Sequence, residues 1–406
     1  MHAAATKPGS SALVASLIAE RRPGHALGRA FYIDAEVYQR DLERIFLRNW
    51  LYVGHVSEIA EPGDYLTYQI AGESVIVVRG ADGAVRALIN VCRHRGSRIC
   101  DAPCGNTRWL VCPYHGWTYD LDGSLQTARL MPKDFDKSTH GLRSIHAAVF
   151  HGLIFINFAD DAGSLDAAHG ALDEHLAPYR LENTKVVARE TYTIDANWKL
   201  MLENYMECYH CAPSHPEFSD SHSIKLPESR SAKLHAAMAV RACEIGATPG
   251  TVDFTWSTDD PSRLQYYYGR YALFEGYQTG TEDGQPAAPP LGDLTGHDGG
   301  ASDLQLGPIS HFLIYADHAV TYRFTPRALH ETECEVAWLV RDDAVEGRDY
   351  DVERVTWLWR VTTEADKAIV ERNQLGVNSR YYVPGPYAPM ENPCAWFVDW
   401  YLAAIA

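Results

Sequence analysis

One residue separates Cys92 from His94 in C-R-H-R-G, and two residues separate Cys112 from His115 in C-P-Y-H-G-W. Each pair offers one thiolate and one imidazole, and each is followed by a glycine, Gly96 or Gly116. Two thiolates can hold one iron of a [2Fe–2S] cluster while two imidazoles hold the other, the Rieske arrangement. Imidazole ligation raises the potential to roughly −150 to +300 mV, well above an all-cysteine plant-type cluster. A chain with this set handles electrons one at a time. Glycine turns, with Pro113 after Cys112, let backbone N–H groups point at the bridging sulfides. The alternative is zinc. Cys₂His₂ zinc sites usually pair like ligands, as C-x₂₋₄-C and H-x₃₋₅-H, whereas each pair here mixes the two. Cys100 and Cys104 lie between the pairs and read as reduced thiols in a surface loop, with a loop-tying disulfide as the alternative.

A second constellation runs from Asn197-Trp198-Lys199 to His215. A helix is expected from about Ala196 to about His210. On it Glu203, Glu207 and His210 fall at i, i+4 and i+7, one face. Pro213 interrupts the run, so His215 can swing back towards His210. Two imidazoles and one carboxylate form the facial triad of a non-haem Fe(II) site, with open positions for dioxygen and substrate. Alone, a polar helix face with two histidines reads as solvated surface. The upstream cluster motif favours metal. Asn204 is a further catalytic candidate of this segment.

These residues need scaffolds. The 406 residues suffice for two domains. Residues 1–46 read as a helical segment packing on the catalytic domain. Residues 47–160 read as a small all-β [2Fe–2S] domain, with Asp82-Gly83 and Asp122-Gly123 as hairpin turns. Residues 161–406 read as a larger catalytic domain holding the mononuclear iron. There, helices are expected over about Ala167 to Tyr179, Thr363 to Leu375 and Ala395 to the end. Strands are expected near Phe312–Tyr315, Ala319–Thr325 and Glu333–Val340. The stretch between Tyr277 and Pro308, dense in Gly, Pro and Asp, reads as a functional loop or lid. Runs of strands and helices without alternation give an α+β class.

Charge and composition exclude other classes. The net charge of −17 lacks the basic footprint of a nucleic-acid binder and disfavours anionic membranes. No apolar run reaches the length of a membrane span. Ala12 to Ala19 reads as a helix rather than a signal peptide, because it is short and leads into Glu20-Arg21-Arg22. Nine cysteines, an odd count with four in or near the cluster, fit reduced thiols in a cytoplasmic protein. Arg93, Arg95, Arg98 and Arg108 crowd the cluster segment, either to dock an acidic electron donor or as ordinary salt-bridge partners.

Across nearly its whole length the chain resembles the large (alpha) subunit of Rieske non-haem iron oxygenases. The matching motifs are C-R-H-R-G at 92–96, C-P-Y-H-G-W at 112–117, N-W-K at 197–199 and E-C-Y-H-C-A-P-S-H at 207–215. The resemblance implies an antiparallel catalytic sheet flanked by helices, of helix-grip type. It implies Cys92, His94, Cys112 and His115 as cluster ligands, and His210 and His215 as iron ligands. Asp366 is the third ligand by its match to the family's Asp, Glu, Gln pattern on a late helix, with Glu364 and Glu371 as competitors. Glu207 stands where many members have Asp. In this it is similar to the glutamate of carnitine and betaine oxygenases, and the resemblance implies that it bridges His115 of one subunit to His210 of its neighbour.

The implied partners are a ferredoxin or a flavin/iron-sulfur reductase bringing electrons from NAD(P)H, together with O₂ and a small organic substrate. A head-to-tail homotrimer is implied because the two metals of one chain are too far apart. The preferred substrate is a betaine-like quaternary ammonium compound. Hydroxylation of an N-methyl group would give a hemiaminal that collapses to formaldehyde and the demethylated amine. Tyr266, Tyr267, Tyr268, Tyr271, Phe274 and Tyr277 are candidates for a cation–π cage. The alternative is a ring-hydroxylating oxygenase acting on an aromatic compound. Less favoured is a pure electron-transfer protein.

Overall fold

The computed structural model describes residues 9–406. The expected helical character of residues 1–8 lies outside them. Strands and helices fall into two groups. A seven-stranded antiparallel sheet is built from strands between Leu51 and Asn157, and a three-stranded sheet covers Leu110–Val111, Thr118–Tyr119 and Leu125–Thr127. A second seven-stranded sheet runs in the order Thr184–Ile194, Glu331–Arg341, Ala319–Ala328, Ser310–Ile314, Gly300–Leu306, Tyr266–Ala272 and Thr251–Val252. Every pairing in it is antiparallel. Helices pack on both faces of this sheet, Trp198–Tyr205 and Val352–Val377 on one and Asp166–Leu176 and Glu228–Glu244 on the other, so the α+β class holds.

Three consecutive strands of the second sheet, Ser310–Ile314, Ala319–Ala328 and Glu331–Arg341, match the expected ones, but Thr184–Ile194, Thr251–Val252, Tyr266–Ala272 and Gly300–Leu306 were not expected. The stretch from Tyr277 to Pro308 is not a lid. Thr279 and Thr281 are buried, Thr279 donates to Asp317 Oδ1 at 2.6 Å, and the stretch ends in the strand Gly300–Leu306. Its turn-forming composition hides a β-strand whose two faces are both covered.

The late helix spans Val352–Val377, starting well before Thr363. Asp351 caps it, accepting from Arg354 N at 3.0 Å, a cap signal. The expected helix to His210 stops at Tyr205. The Glu207 carboxylate takes the N–H groups of Tyr209 and His210, and such side-chain capture competes with helix continuation. Glu203, Glu207 and His210 therefore do not share a helical face. Pro213 does not interrupt a long helix; it sits inside the short helix Cys211–Ser214.

The N-W-K motif explains how the site helix Trp198–Tyr205 is held. Asn197 caps it by accepting from Lys199 N, while its amide donates to Tyr32 O and Leu329 O at 3.1 and 3.0 Å. Trp198 Nε1 donates to Asp41 at 3.0 Å, and Lys199 forms a fully buried ion pair with the same carboxylate. Tyr401 donates to its other oxygen at 2.8 Å. The Asp41 carboxylate thus ties the N-terminal helices, the site helix and the C-terminal helix Asn392–Ile405 together. A buried charge so fully hydrogen-bonded is tolerated where an unpaired one is not.

Candidate functional site

The cluster motif forms two loops of the same construction. In the first, Cys92 N donates to Ser97 O and Gly96 N to Cys92 O, both at 2.9 Å. In the second, Cys112 N donates to Trp117 O at 2.8 Å and Gly116 N to Cys112 O at 3.0 Å. Gly96 and Gly116 have φ of 78° and 70°, a region that L side chains rarely adopt. The two loops bring the buried thiols of Cys92 and Cys112 together, with Tyr119 OH 3.2 Å from Cys92 Sγ. His94 and His115 are exposed, and their Nδ1 atoms face each other at 3.1 Å. Trp117 stacks on His94 and Tyr114 on His115. Paired buried sulfurs beneath paired imidazole nitrogens are the donor set that a [2Fe–2S] cluster of mixed ligation needs.

Cys100 and Cys104 are free, as expected. The expectation of reduced thiols fails elsewhere: Cys208 and Cys211 are joined by a disulfide. Their Cα atoms lie 4.9 Å apart across the turn that follows the site helix, close enough to bridge. Cys211 Sγ is near both histidines, but in the disulfide it offers no thiolate.

Arg93, Arg95, Arg98 and Arg108 are all exposed. Arg95 lies over the Tyr114 ring and Arg98 donates to Gln69. The ordinary salt bridges considered for these four are absent among the described residues.

The second constellation converges. His210 Nε2 and His215 Nε2 approach the same oxygen, Asp366 Oδ1, at 3.1 and 3.2 Å. His215 is buried, and apart from the Asp366 oxygen its ring nitrogens meet no polar partner among the described residues. A buried imidazole with so few polar partners is costly unless its Nε2 lone pair serves a metal. Two imidazoles and a carboxylate aimed at one point fit a mononuclear iron.

Burial disfavours a charged His210, yet hydrogen bonds to Asp366 and Glu207 outweigh it and push its pKa up to about 9. Burial likewise opposes ionisation of Asp366, and the two histidines more than offset it. The competitors are placed elsewhere. Glu364 is exposed, and Glu371 pairs with Lys367 and accepts from Asp195 N.

Behind His210, Glu207 Oε1 lies 2.6 Å from Nδ1. The Nδ1–H donates to this carboxylate, which fixes the tautomer and leaves Nε2 as the free donor atom. Asn204 Nδ2 reaches His210 Nε2 at 3.2 Å and Asp366 Oδ1 at 3.4 Å. Glu203 turns away, accepting from Tyr32 OH at 3.0 Å, and burial pushes its pKa up to about 8.

Two cavities flank His210. One, of about 380 Å³, is floored by His210, His215 and Asp366 and walled by Tyr205, Phe218 and Trp359. Tyr267, Tyr271 and Asp303 also line it. Of the aromatic candidates named from sequence, Tyr267 and Tyr271 reach this cavity. Tyr266 and Tyr268 pack in the core on the other face of the sheet, with Tyr268 stacked on His175. Phe274 and Tyr277 do not line it. Tyr205, Phe218, Trp359 and Asp303 were missed. Only their neighbourhood to the histidine motif could have flagged Tyr205 and Phe218. The second cavity, of about 410 Å³, is lined by Glu203, Glu207 and Glu391, with Tyr382 and Tyr387.

Among known proteins, residues 49–145 match the Rieske [2Fe-2S] domain and residues 181–406 the ring hydroxylating alpha subunit (catalytic domain). The glycine betaine monooxygenase oxygenase subunit of Chromohalobacter salexigens is 38% identical over 390 residues, covering 95% of this chain and 87% of that one. The carnitine monooxygenase oxygenase subunit of Acinetobacter baumannii is 38% identical over 197 residues, 48% of this chain and 53% of that one. The crystal structure of a quaternary ammonium Rieske monooxygenase superposes with a TM-score of 0.73 at 24% identity, covering 96% of this chain and 97% of that one.

Proposed function

The chain belongs to the family of Rieske oxygenase alpha subunits, and from that premise we propose that it hydroxylates an N-methyl group of a small quaternary ammonium compound. The observation that carries this reading is the cavity itself: a 2-His-1-carboxylate floor beneath aromatic walls, with Glu207 bonded to the back of His210. The relatives named for glycine betaine and carnitine support the substrate class.

When bound, a cluster at Cys92, His94, Cys112 and His115 would supply single electrons, and an iron at His210, His215 and Asp366 would supply oxygen activation. The chain's own residues do the rest. Glu207 holds the Nδ1 proton of His210 and keeps its Nε2 aimed at the metal position. Asn204 lies beside the same point, where its amide would hold His210 Nε2 and Asp366 Oδ1 in position for the metal. The aromatic walls exclude bulk water and leave room for a methylated ammonium head. The net change consumes O₂, two electrons and two protons. One oxygen atom is inserted into a C–H bond of the N-methyl group, and the other leaves as water. The N–CH₂OH product then breaks its C–N bond to give formaldehyde and the protonated tertiary amine.

Electrons would come from NAD(P)H through a separate ferredoxin or flavin/iron-sulfur reductase. A head-to-tail homotrimer would set His115 of one protomer against Glu207 of the next. Charge complementarity supports that assembly: Arg93 and Arg95 are exposed beside His115, and the recess behind His210 carries Glu207 and Glu391. The boundaries 47–160 and 161–406 would then separate the electron-storing domain from the oxygen-using one.

The test is oxygen uptake by the purified chain with its reductase, coupled to formaldehyde release from glycine betaine, stachydrine or carnitine. A cis-diol or phenol from an aromatic acid, without formaldehyde from any methylated ammonium, would overturn the substrate reading in favour of ring hydroxylation.

A further inference from the structure

Asp303 sits in the middle of the strand Gly300–Leu306, inside a sheet covered on both faces. Its neighbours Leu304 and Leu306 face the core on one side. Asp303 faces the other side, towards the cavity above the histidines. Across the ladder it lies between Gly269 and Leu313.

Gly269 makes room for a ring there. The Tyr267 hydroxyl occupies the place a Cβ would take, so the Tyr267 ring lies along the sheet beside Asp303. Tyr271 follows four residues on and faces the same way. Tyr205 closes the group from the site helix.

Among the described residues the carboxylate has no cationic partner, and its Oδ1 is shut off from solvent with no hydrogen-bond partner. The Tyr205 hydroxyl is in the same condition. Burial pushes the Asp303 carboxyl up to about 7, with the nearby Tyr205 hydroxyl working the other way. After burial, the charge of Asp303 is the largest influence raising the hydroxyls of Tyr205, Tyr267 and Tyr271. All three rings therefore surround one carboxylate and none of them neutralises it. An oxygen shut off in this way is expensive, while the side chain as a whole stays partly open towards the cavity. A core strand of a neutral-substrate pocket gains nothing from it.

We propose that Asp303 is the counter-charge that receives the ammonium group of the substrate, with the rings of Tyr205, Tyr267 and Tyr271 as its aromatic walls. This rests on the reading of the cavity as a methylated-ammonium site and assigns the residue that makes it selective for charge. A quaternary nitrogen has no N–H to donate, so recognition is by close contact of opposite charge and by cation–π attraction. Asp303 is a specificity residue on the cavity wall; the metal-facing residues are on the floor.

The probes are choline and 3,3-dimethylbutanol, which share a shape and differ in charge. Calorimetric titration of the metal-loaded oxygenase should show choline binding at least tenfold tighter. In Asp303→Asn that preference should fall to within about twofold through loss of choline affinity, with the alcohol bound as before. Equal binding of the two probes by the wild-type protein would overturn the assignment without need of any variant. So would an Asp303→Asn protein that keeps the preference, or that weakens both probes equally. If the wild-type protein bound the alcohol and aromatic acids but none of choline, glycine betaine and tetramethylammonium, the reading of the cavity would itself have failed, and this assignment with it.

Discussion

The side-chain carbonyl of Gln374 accepts the backbone N–H of Asn197 at 2.8 Å. The bond joins the helix that carries Asp366 to the cap of the helix that leads to His210 and His215. Glu371, one turn earlier, accepts from Asp195 N at 3.1 Å. The Asp, Glu, Gln pattern of the late helix thus divides between one residue that faces the histidines and two that hold its distance from them.

Replacing Gln374 by Leu removes the acceptor of a buried N–H. The expected cost is about 1–3 kcal/mol, read as a lower midpoint in denaturant titration. Because the register of Asp366 against His210 loosens, mononuclear iron should bind more weakly while the visible absorbance of the cluster stays unchanged. Unchanged iron affinity would mean that the helix is held by its apolar face alone.

His210→Ala should lower iron from about three to about two atoms per chain, since a Rieske centre holds two. Cluster absorbance should survive and substrate-coupled oxygen uptake should cease. Retention of all three irons with full turnover would remove His210 from the ligand set.

Glu207→Gln keeps the shape of the side chain and removes its charge. The 2.6 Å contact to His210 Nδ1 then no longer favours a single tautomer. Losing such an outer partner typically costs 10–100-fold in metal affinity or activity. With iron restored by excess Fe(II), reoxidation of the reduced cluster by O₂ and substrate should still be slowed at least tenfold. A normal rate would place the electron path elsewhere.

Much of this site could be read in the sequence, for reasons that differ by residue. The cluster ligands and the two histidines sit in short local motifs, where spacing alone restricts geometry. Asp366 needed the family pattern, because nothing local links it to residues more than 150 positions away. Glu207 was identified but misplaced on a helix, since its own capture of two backbone N–H groups ends that helix. Asp303 was invisible. It lies in a stretch whose glycines and prolines signal turns, and its meaning depends on a strand pairing with Gly269 and Leu313. Tyr266 to Tyr271 showed the converse limit: the run was evident, but only strand alternation decides which rings face the cavity.

Asp41 should be the most sensitive position outside the metal sites. Its carboxylate is fully buried and bound by Lys199, Trp198 and Tyr401. Asp41→Ala leaves Lys199 charged and unpaired, at an expected cost of about 3–5 kcal/mol. The double variant Asp41→Leu/Lys199→Met should recover most of that loss in thermal unfolding. Equal destabilisation by the single and double variants would show that packing volume, rather than the stranded charge, sets the penalty.

The pH dependence of cation binding follows from the Asp303 carboxyl, which burial pushes up to about 7. Only the ionised form attracts a cation. Affinity for choline should therefore rise with pH up to about 7 and level off above it, by about tenfold between pH 6 and 8 for a single titrating group. The surrounding tyrosine hydroxyls are raised by burial and stay neutral throughout.

Stability without ligand should run the opposite way. A carboxyl whose folded pKa lies above its unfolded value contributes stability that is fully present below the unfolded pKa, near 4. That contribution is lost as pH rises through the folded value. Glu203, raised to about 8, acts in the same direction, so the comparison must be made against Asp303→Asn at each pH. Between pH 5 and 8 the wild-type protein should lose more melting temperature than the variant, and saturating choline should restore the difference. A pH-independent choline affinity in the wild-type protein would show that Asp303 does not carry the charge that the cation meets.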